Sequence, residues 1–484
     1  MTMRWFRLLV PACAALLGLS TLNVYAAGLL QLSSDPFTNN TSQHRTEVEP
    51  DTFAFGTTIV SAFQVGRFFN GGASDIGFAT SNDGGKTFTS GFLPDTTFHS
   101  TPANLTYERV SDPSVAFDAK ANVWMISYLG IPAALVPVDV LASRSIDGGL
   151  TWGNPVVITA DRQFNDKNWS VCDNTVSSPH YGNCYTEFDD ASLSDLEQMS
   201  TSSDGGVTWG APLATAQHLH GIGGQPLVQP NGTVIVPVGG FASRGGDVNA
   251  FSSADGGASW GTTTRIADVT AHLVAGGLRN GLGLPTAEID ASGKVYVVWP
   301  DCRFEPGCTA NDLVLSTSTD GTNWSPVTRI PVDPIGGGVD HFIPGLAVNN
   351  ATSGDSAQLA LTFYFYPNAS CTAATCQLEV GSSISVDGGG SWTSNQQIAG
   401  PMSLSSLAKT SQGRMVGDYI STSFVGGPAF PAFAVANRPA GGVFDEAMYT
   451  LRGGLSVGGH SNRAHDRLAI PSNGPSSGSN QTDQ

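Results

Sequence analysis

One octapeptide recurs through most of the chain. Its copies are Ser81–Phe88, Ser145–Trp152, Ser202–Trp209, Ser253–Trp260, Ser318–Trp324 (one residue short) and Ser385–Trp392. Their aspartates, Asp83, Asp147, Asp204, Asp255, Asp320 and Asp387, stand 64, 57, 51, 65 and 67 residues apart. A period of roughly 60 residues means an array of similar supersecondary units.

Each copy carries Asp-Gly between two strand-like runs, which is a hairpin-turn signal. Glycine reaches positive φ at little cost, and the Asp side chain accepts local backbone N–H groups. The closing Trp or Phe is a large apolar ring that can plug the space beside its hairpin. The motif resembles the Asp box, Ser-x-Asp-Gly-Gly-x-Thr-Trp, and the chain is similar to the sialidase-like (BNR-repeat) β-propeller family. The resemblance covers residues 45–452 at the level of fold.

A second landmark precedes each octapeptide: Glu49-Pro50, Asp112-Pro113, Asp166-Lys167, Gln225-Pro226, Leu284-Pro285 and Ile343-Pro344. Each opens a short apolar strand such as Ser114–Phe117 or Thr286–Ile289. A second strand follows, then a third that runs into the octapeptide, then a fourth. Four antiparallel strands make a propeller blade. After the sixth octapeptide come three more strand runs, Asp418–Phe424, Phe430–Val435 and Glu446–Leu451, and Leu29–Leu32 can supply the missing fourth. The expectation is an all-β propeller of four-stranded blades, seven favoured, closed by an N-terminal strand. Six, the number the resemblance implies, is the alternative.

Topology sorts residues by face. The octapeptides join third to fourth strands at one end of each blade, so their aspartates are read as turn caps. First-strand starts and second-strand ends lie at the other end, where loops on a rigid scaffold build sites. That end collects Glu49, Asp112, Asp166, Lys167, Asp340, His341, Asp418 and Tyr419, with Arg67, Glu187, Asp301, Arg303, Tyr364 and Tyr366. Arg109, Arg279 and Arg414 fall in segments of the same side. Guanidinium groups pair bidentately with carboxylates, so such a set suits an anionic ligand.

Other features place the chain. Arg4 and Arg7 precede the apolar run Leu8–Leu17, and Val24-Tyr25-Ala26 offers a cleavage site, so residues 1–26 read as a secretory signal. The propeller occupies 27–455, and the Ser/Gly/Asn-rich tail 456–484 reads as disordered. Six cysteines after the signal form close pairs, Cys172/Cys184, Cys302/Cys308 and Cys371/Cys376; sequential disulfides are the simplest of fifteen connectivities. The expected location is secreted or periplasmic, with no membrane span. The net charge of −18, from 22 basic and 40 acidic residues, argues against nucleic acid. No metal spacing and no cofactor motif stand out, and a monomer is expected.

The resemblance implies a glycosidase in which three arginines hold the substrate carboxylate. A tyrosine acts as nucleophile with a glutamate as its base, and an aspartate serves as acid/base. Tyrosine replaces the usual carboxylate because the reacting carbon already bears one. By order and face the candidates are Asp112 as acid/base, Tyr419 or Tyr366 as nucleophile and Glu187 or Glu288 as its base. Arg67, Arg279, Arg303 and Arg414 are the candidate clamp. The expected activity is hydrolysis of sialic acid or another acidic sugar. A non-catalytic propeller binding glycans or proteins through the loop face is the alternative. A third option is a polysaccharide lyase, in which His341 would stand beside a tyrosine.

Overall fold

The computed structural model describes residues 28–101, 106–240, 246–280 and 283–457. The signal reading for 1–26 lies outside them, as does the tail from residue 458 onward. The described residues form an all-β propeller built from strand quartets. In the first quartet, Glu47–Phe55, Thr58–Arg67, Ala73–Ser81 and Thr89–Phe92 follow one another as antiparallel neighbours. The first strands of the six later quartets are Arg109–Asp118, Asn165–Cys172, Leu227–Val228, Thr286–Ile289, Asp340–Val348 and Ser421–Phe424.

Five of these sheets stand as separate four-stranded blades. The first two quartets are instead fused into one eight-stranded sheet, where seven separate blades had been expected. The fusion rests on a single residue pair, Ala73 with Val110. Gly72 lets the backbone come this close, since a Cβ there would stand 2.8 Å from Arg109 Cβ. The last sheet takes its strands from both ends of the chain: Leu29–Gln31 pairs antiparallel with Glu446–Leu451. Each first strand packs against the first strand of the next quartet, and Ser421–Phe424 returns to Glu47–Phe55. These seven strands line an axial cavity of about 410 Å³.

Between quartets the packing is apolar. Val60, Ile76 and Phe78 of the first meet Trp124, Ile126 and Tyr128 of the second. Burying apolar area at roughly 25 cal/mol per Å² makes these seams the main cohesive element. Each octapeptide adds a second tie. Asp83 Oδ1 accepts Lys86 N (3.1 Å) and Thr87 N (3.0 Å), and Thr87 Oγ1 donates to Oδ2 (2.6 Å). Ser81 Oγ donates to Asp83 Oδ1 and accepts Gly85 N, each at 2.8 Å. The other five aspartates cap their turns in the same way. The residue Gly149 (φ 80°) lies on the preceding quartet, and a Cβ there would stand 2.7 Å from Val60 Cγ2. Gly85 lies likewise on Phe430 of the last quartet, so the first octapeptide ties the two ends of the ring.

The cysteines pair sequentially, as Cys172–Cys184, Cys302–Cys308 and Cys371–Cys376. Among the described residues no helix is long and apolar enough to cross a membrane.

Candidate functional site

At the end of the ring away from the octapeptides, the innermost strands share one device. Pairing slips between Val48 and Asp51, Ser111 and Ser114, Asp166 and Trp169, and Phe342 and Pro344. Such bulges leave a residue outside the ladder and re-aim its side chain. Inside them sit Glu49 (φ 55°), Asp112 (φ 48°), Lys167 (φ 48°) and Ile343 (φ 52°). L-residues reach this backbone region at a cost that clusters at functional positions. The last quartet uses Gly417 (φ 146°), whose missing Cβ admits Glu49 N at 2.9 Å.

The bulges bring charged groups together. Asp418 N donates to Glu49 Oε1 (3.3 Å), and Gln64 Nε2 donates to Glu49 Oε2. Arg67 is fully buried; its Nη1 donates to Gln64 Oε1 (2.8 Å) and Gly72 O (3.1 Å), while its Nε has no hydrogen-bond partner. Arg279 forks onto Asp418, with Nε 2.8 Å from Oδ1 and Nη2 on Oδ2. Lys167 Nζ lies 3.5 Å from the Tyr419 ring centroid and 5.0 Å from that of Trp169. At such distances a desolvated ammonium gains about 2 kcal/mol from a ring face.

Burial sets the protonation of this cluster. It pushes the Glu49 carboxyl up, and the neighbouring carboxylates of Asp112 and Asp418 push the same way. Asp112 is likewise raised by burial, then by Asp166 and Asp418, with Lys167 and Arg67 opposing. At Asp418 burial would raise the carboxyl, but the Arg279 guanidinium wins and holds it below the ordinary range. Neighbouring carboxyls are thus driven apart, which is how one site keeps both a proton donor and a proton acceptor at neutral pH.

The expected residues separate into those gathered here and those held elsewhere. Asp112, Tyr419, Arg67 and Arg279 belong to the cluster. Tyr419 is buried, and its hydroxyl donates to Pro113 O (3.2 Å), with burial raising its pKa. Glu187 is not on that hydroxyl: its Oε1 accepts Gly224 N (3.2 Å), and it lies beside Glu197 in a buried acidic pocket that raises it strongly. Arg414 donates from Nη1 to Leu407 O (2.8 Å), while its carbonyl receives Arg279 N (2.7 Å). Arg303 pairs with Asp301 (2.7 Å) and reaches Asp268 O, in the fifth and fourth quartets. His341 is flanked by Phe363 and Phe365 rather than a tyrosine. Gln64 and Trp169 were not anticipated: Gln64 is one polar residue in a buried strand, and Trp169 carries no motif.

No family model matches the chain, and no curated protein matches its sequence. Solved structures similar to it include an ulvan lyase of a polysaccharide-lyase family, at 11% identity and TM-score 0.52, over 89% of this chain and 98% of that one. A Hadza microbial sialidase matches at 17% identity and TM-score 0.45, over 66% and 64%. The NanB sialidase of Streptococcus pneumoniae matches at 13% and TM-score 0.41, over 87% and 70%. What the ulvan lyase and this chain share is the fold.

Proposed function

We propose that this is an exported glycoside hydrolase acting on an acidic sugar at the cluster around Glu49 and Asp112. The observation that carries the reading is the meeting of Glu49, Asp112, Asp166 and Asp418 with Arg67, Lys167 and Arg279 at one end of the ring. Perturbed carboxyls next to fixed cations are what acid/base cleavage of a glycosidic bond needs. Glu49, the more strongly raised, is the proton donor to the leaving oxygen. Asp112 works as the carboxylate. Lys167, Arg67 and Arg279 attract and orient the sugar's own carboxylate. Tyr419 presents its ring to Lys167 and positions it. In the nucleophile role its hydroxyl would first have to leave Pro113 O.

Two further readings support this one. We count the fused sheet as two blades, giving a seven-bladed ring closed by Leu29–Gln31, with Trp169 of the cluster also lining the axial cavity. The three disulfides suit an oxidising compartment. One ulvan lyase structure holds -[GlcA(1-4)Rha3S]-, an acidic glycan on a similar fold.

The test is release of a fluorogenic leaving group from an α-sialoside, a glucuronide and a neutral glucoside. Release from an acidic sugar, lost in Asp112→Asn at unchanged melting temperature, is expected. Preference for the neutral glucoside, or no release from any of the three, refutes the proposal; an unsaturated uronate formed from a 4-linked uronate glycan, whose O4 substituent can leave, would make the enzyme a lyase. Tyr419→Phe should keep measurable turnover and raise KM more than it lowers kcat. Complete loss of turnover would return Tyr419 to the nucleophile role.

A further inference from the structure

A second constellation lies between the fifth and sixth quartets, apart from the cluster just described. Asp312 opens the third strand of the fifth quartet, Asp333 follows the fourth, and His341 lies in the first strand of the sixth. One donor atom from each lies within 4.8 Å of the other two. His341 is completely buried, and its Nδ1 faces Asn311 O at 3.1 Å. That bond places the proton on Nδ1 and leaves a lone pair on Nε2, which has no hydrogen-bond partner. Asp312 Oδ2 is also buried without a partner. Buried polar atoms left this way cost free energy unless something binds them.

The surroundings fit a cation. Arg329 holds the other sides of the two aspartates, with Nε on Asp312 Oδ1 (2.7 Å) and Nη2 on Asp333 Oδ1 (2.7 Å). One guanidinium does not balance this neighbourhood, because Glu305 adds its charge to those of Asp312 and Asp333, while His272 is already engaged by Asp340. A histidine oriented by a backbone carbonyl, with carboxylates fixed from behind, is the arrangement that supports metal ligands from outside the coordination sphere. One imidazole nitrogen and two carboxylate oxygens suit zinc, which takes four ligands and can complete its set with water.

We propose that Asp312, Asp333 and His341 bind one zinc ion that clamps the fifth quartet to the sixth. Binding consumes the neutral imidazole lone pair and two ionised carboxylates, and nothing is oxidised or reduced. Two of the ligands come from separate strands and Asp333 from the loop between the quartets, so no local spacing in the sequence announces them.

The test uses the whole purified protein, stripped with chelator and titrated with zinc alone, read by calorimetry and by metal content. Wild type is expected to take up one zinc per chain and to melt at least about 2 °C higher with it. Asp333→Asn, at a partly exposed position, should weaken binding at least about tenfold. Cobalt in place of zinc should give a visible ligand-field band that His341→Gln removes; if that variant does not fold, Asp333→Asn decides. Absence of saturable binding in wild type, or zinc affinity unchanged by Asp333→Asn, overturns the proposal and leaves Arg329 as the sole counter-charge. Because the readout is metal content and melting, it stands apart from any glycosidase assay.

Discussion

The two ends of the ring both carry aspartates, and they use them in opposite ways. At the octapeptide end Asp83 is exposed, and the Thr87 hydroxyl and backbone N–H groups, together with Ser81, hold its carboxyl well below the ordinary range. At the other end Asp112 and Glu49 are buried and raised. The same functional group is a turn cap where donors surround it and a titrating acid where other acids and low polarity do. Position in the fold, not residue type, decides which aspartates can do chemistry.

The sharpest way to break that contrast is to neutralise one aspartate at each end. Asp112→Asn should lower kcat/KM on the responsive acidic glycoside by about 10²-fold or more, whereas Asp83→Asn should leave it unchanged. Equal losses would erase the distinction.

Next in size is the mechanical role of the octapeptide end. Gly257→Ala forces a side chain at φ 83° into Thr201 and Tyr185 of the preceding quartet. It should cost about 2–4 kcal/mol in denaturant unfolding. A cost under about 0.5 kcal/mol would mean the turns are not ties between quartets.

At the cluster end, Arg279→Ala leaves Asp418 buried without its guanidinium. Loss of a buried partner costs about 3–5 kcal/mol, and because the Arg279 side chain is 22% exposed we expect about 2 kcal/mol after screening. KM for the acidic sugar should rise as well. A stability loss with KM unchanged would make the pair purely structural.

The smallest effects are in pH. The octapeptide carboxyls at Asp83, Asp147 and Asp204 are depressed in the folded state. Their contribution is present above the unfolded carboxylate pKa and fades as pH falls through and below that range. Glu49 and Asp112 act with the opposite sign: raised on folding, they cost stability as pH climbs from the unfolded value through the folded one. Activity should fall on the acid side as Asp112 protonates and on the alkaline side as Glu49 ionises, so its optimum lies above the ordinary carboxylate range. A melting temperature that rises steadily from pH 5 to pH 8 would contradict the raised pair.

The octapeptides were legible because every bond that shapes them closes within eight residues, and the same bonds recur at each copy. Disulfides between near neighbours and the return of Leu29–Gln31 to Glu446–Leu451 could be read from strand counting. The cluster was legible only by face. Order along the chain put Asp112, Tyr419, Arg67 and Arg279 at the right end, but it put Arg303 there too, and Asp301 holds that residue between other quartets. Which neighbours meet across the axis is set by how the quartets close on one another, and no local pattern encodes it. The positive φ at Glu49 and Asp112 was also hidden, because a residue before proline favours extended backbone. The fusion at Ala73 and Val110 depends on one close approach at Gly72 that no repeat signals.

The sheet built from Leu29–Gln31 and Glu446–Leu451 sets an order of events in the making of the protein. Leu29–Gln31, made early, waits without a hydrogen-bonding neighbour for Glu446–Leu451. A nascent chain can complete the middle quartets one after another, but the circle shuts only once Glu446–Leu451 has been made, so the slow non-local step falls at the close of folding. Deleting Leu29–Gln31 or Glu446–Leu451 would therefore open the whole ring rather than shorten it.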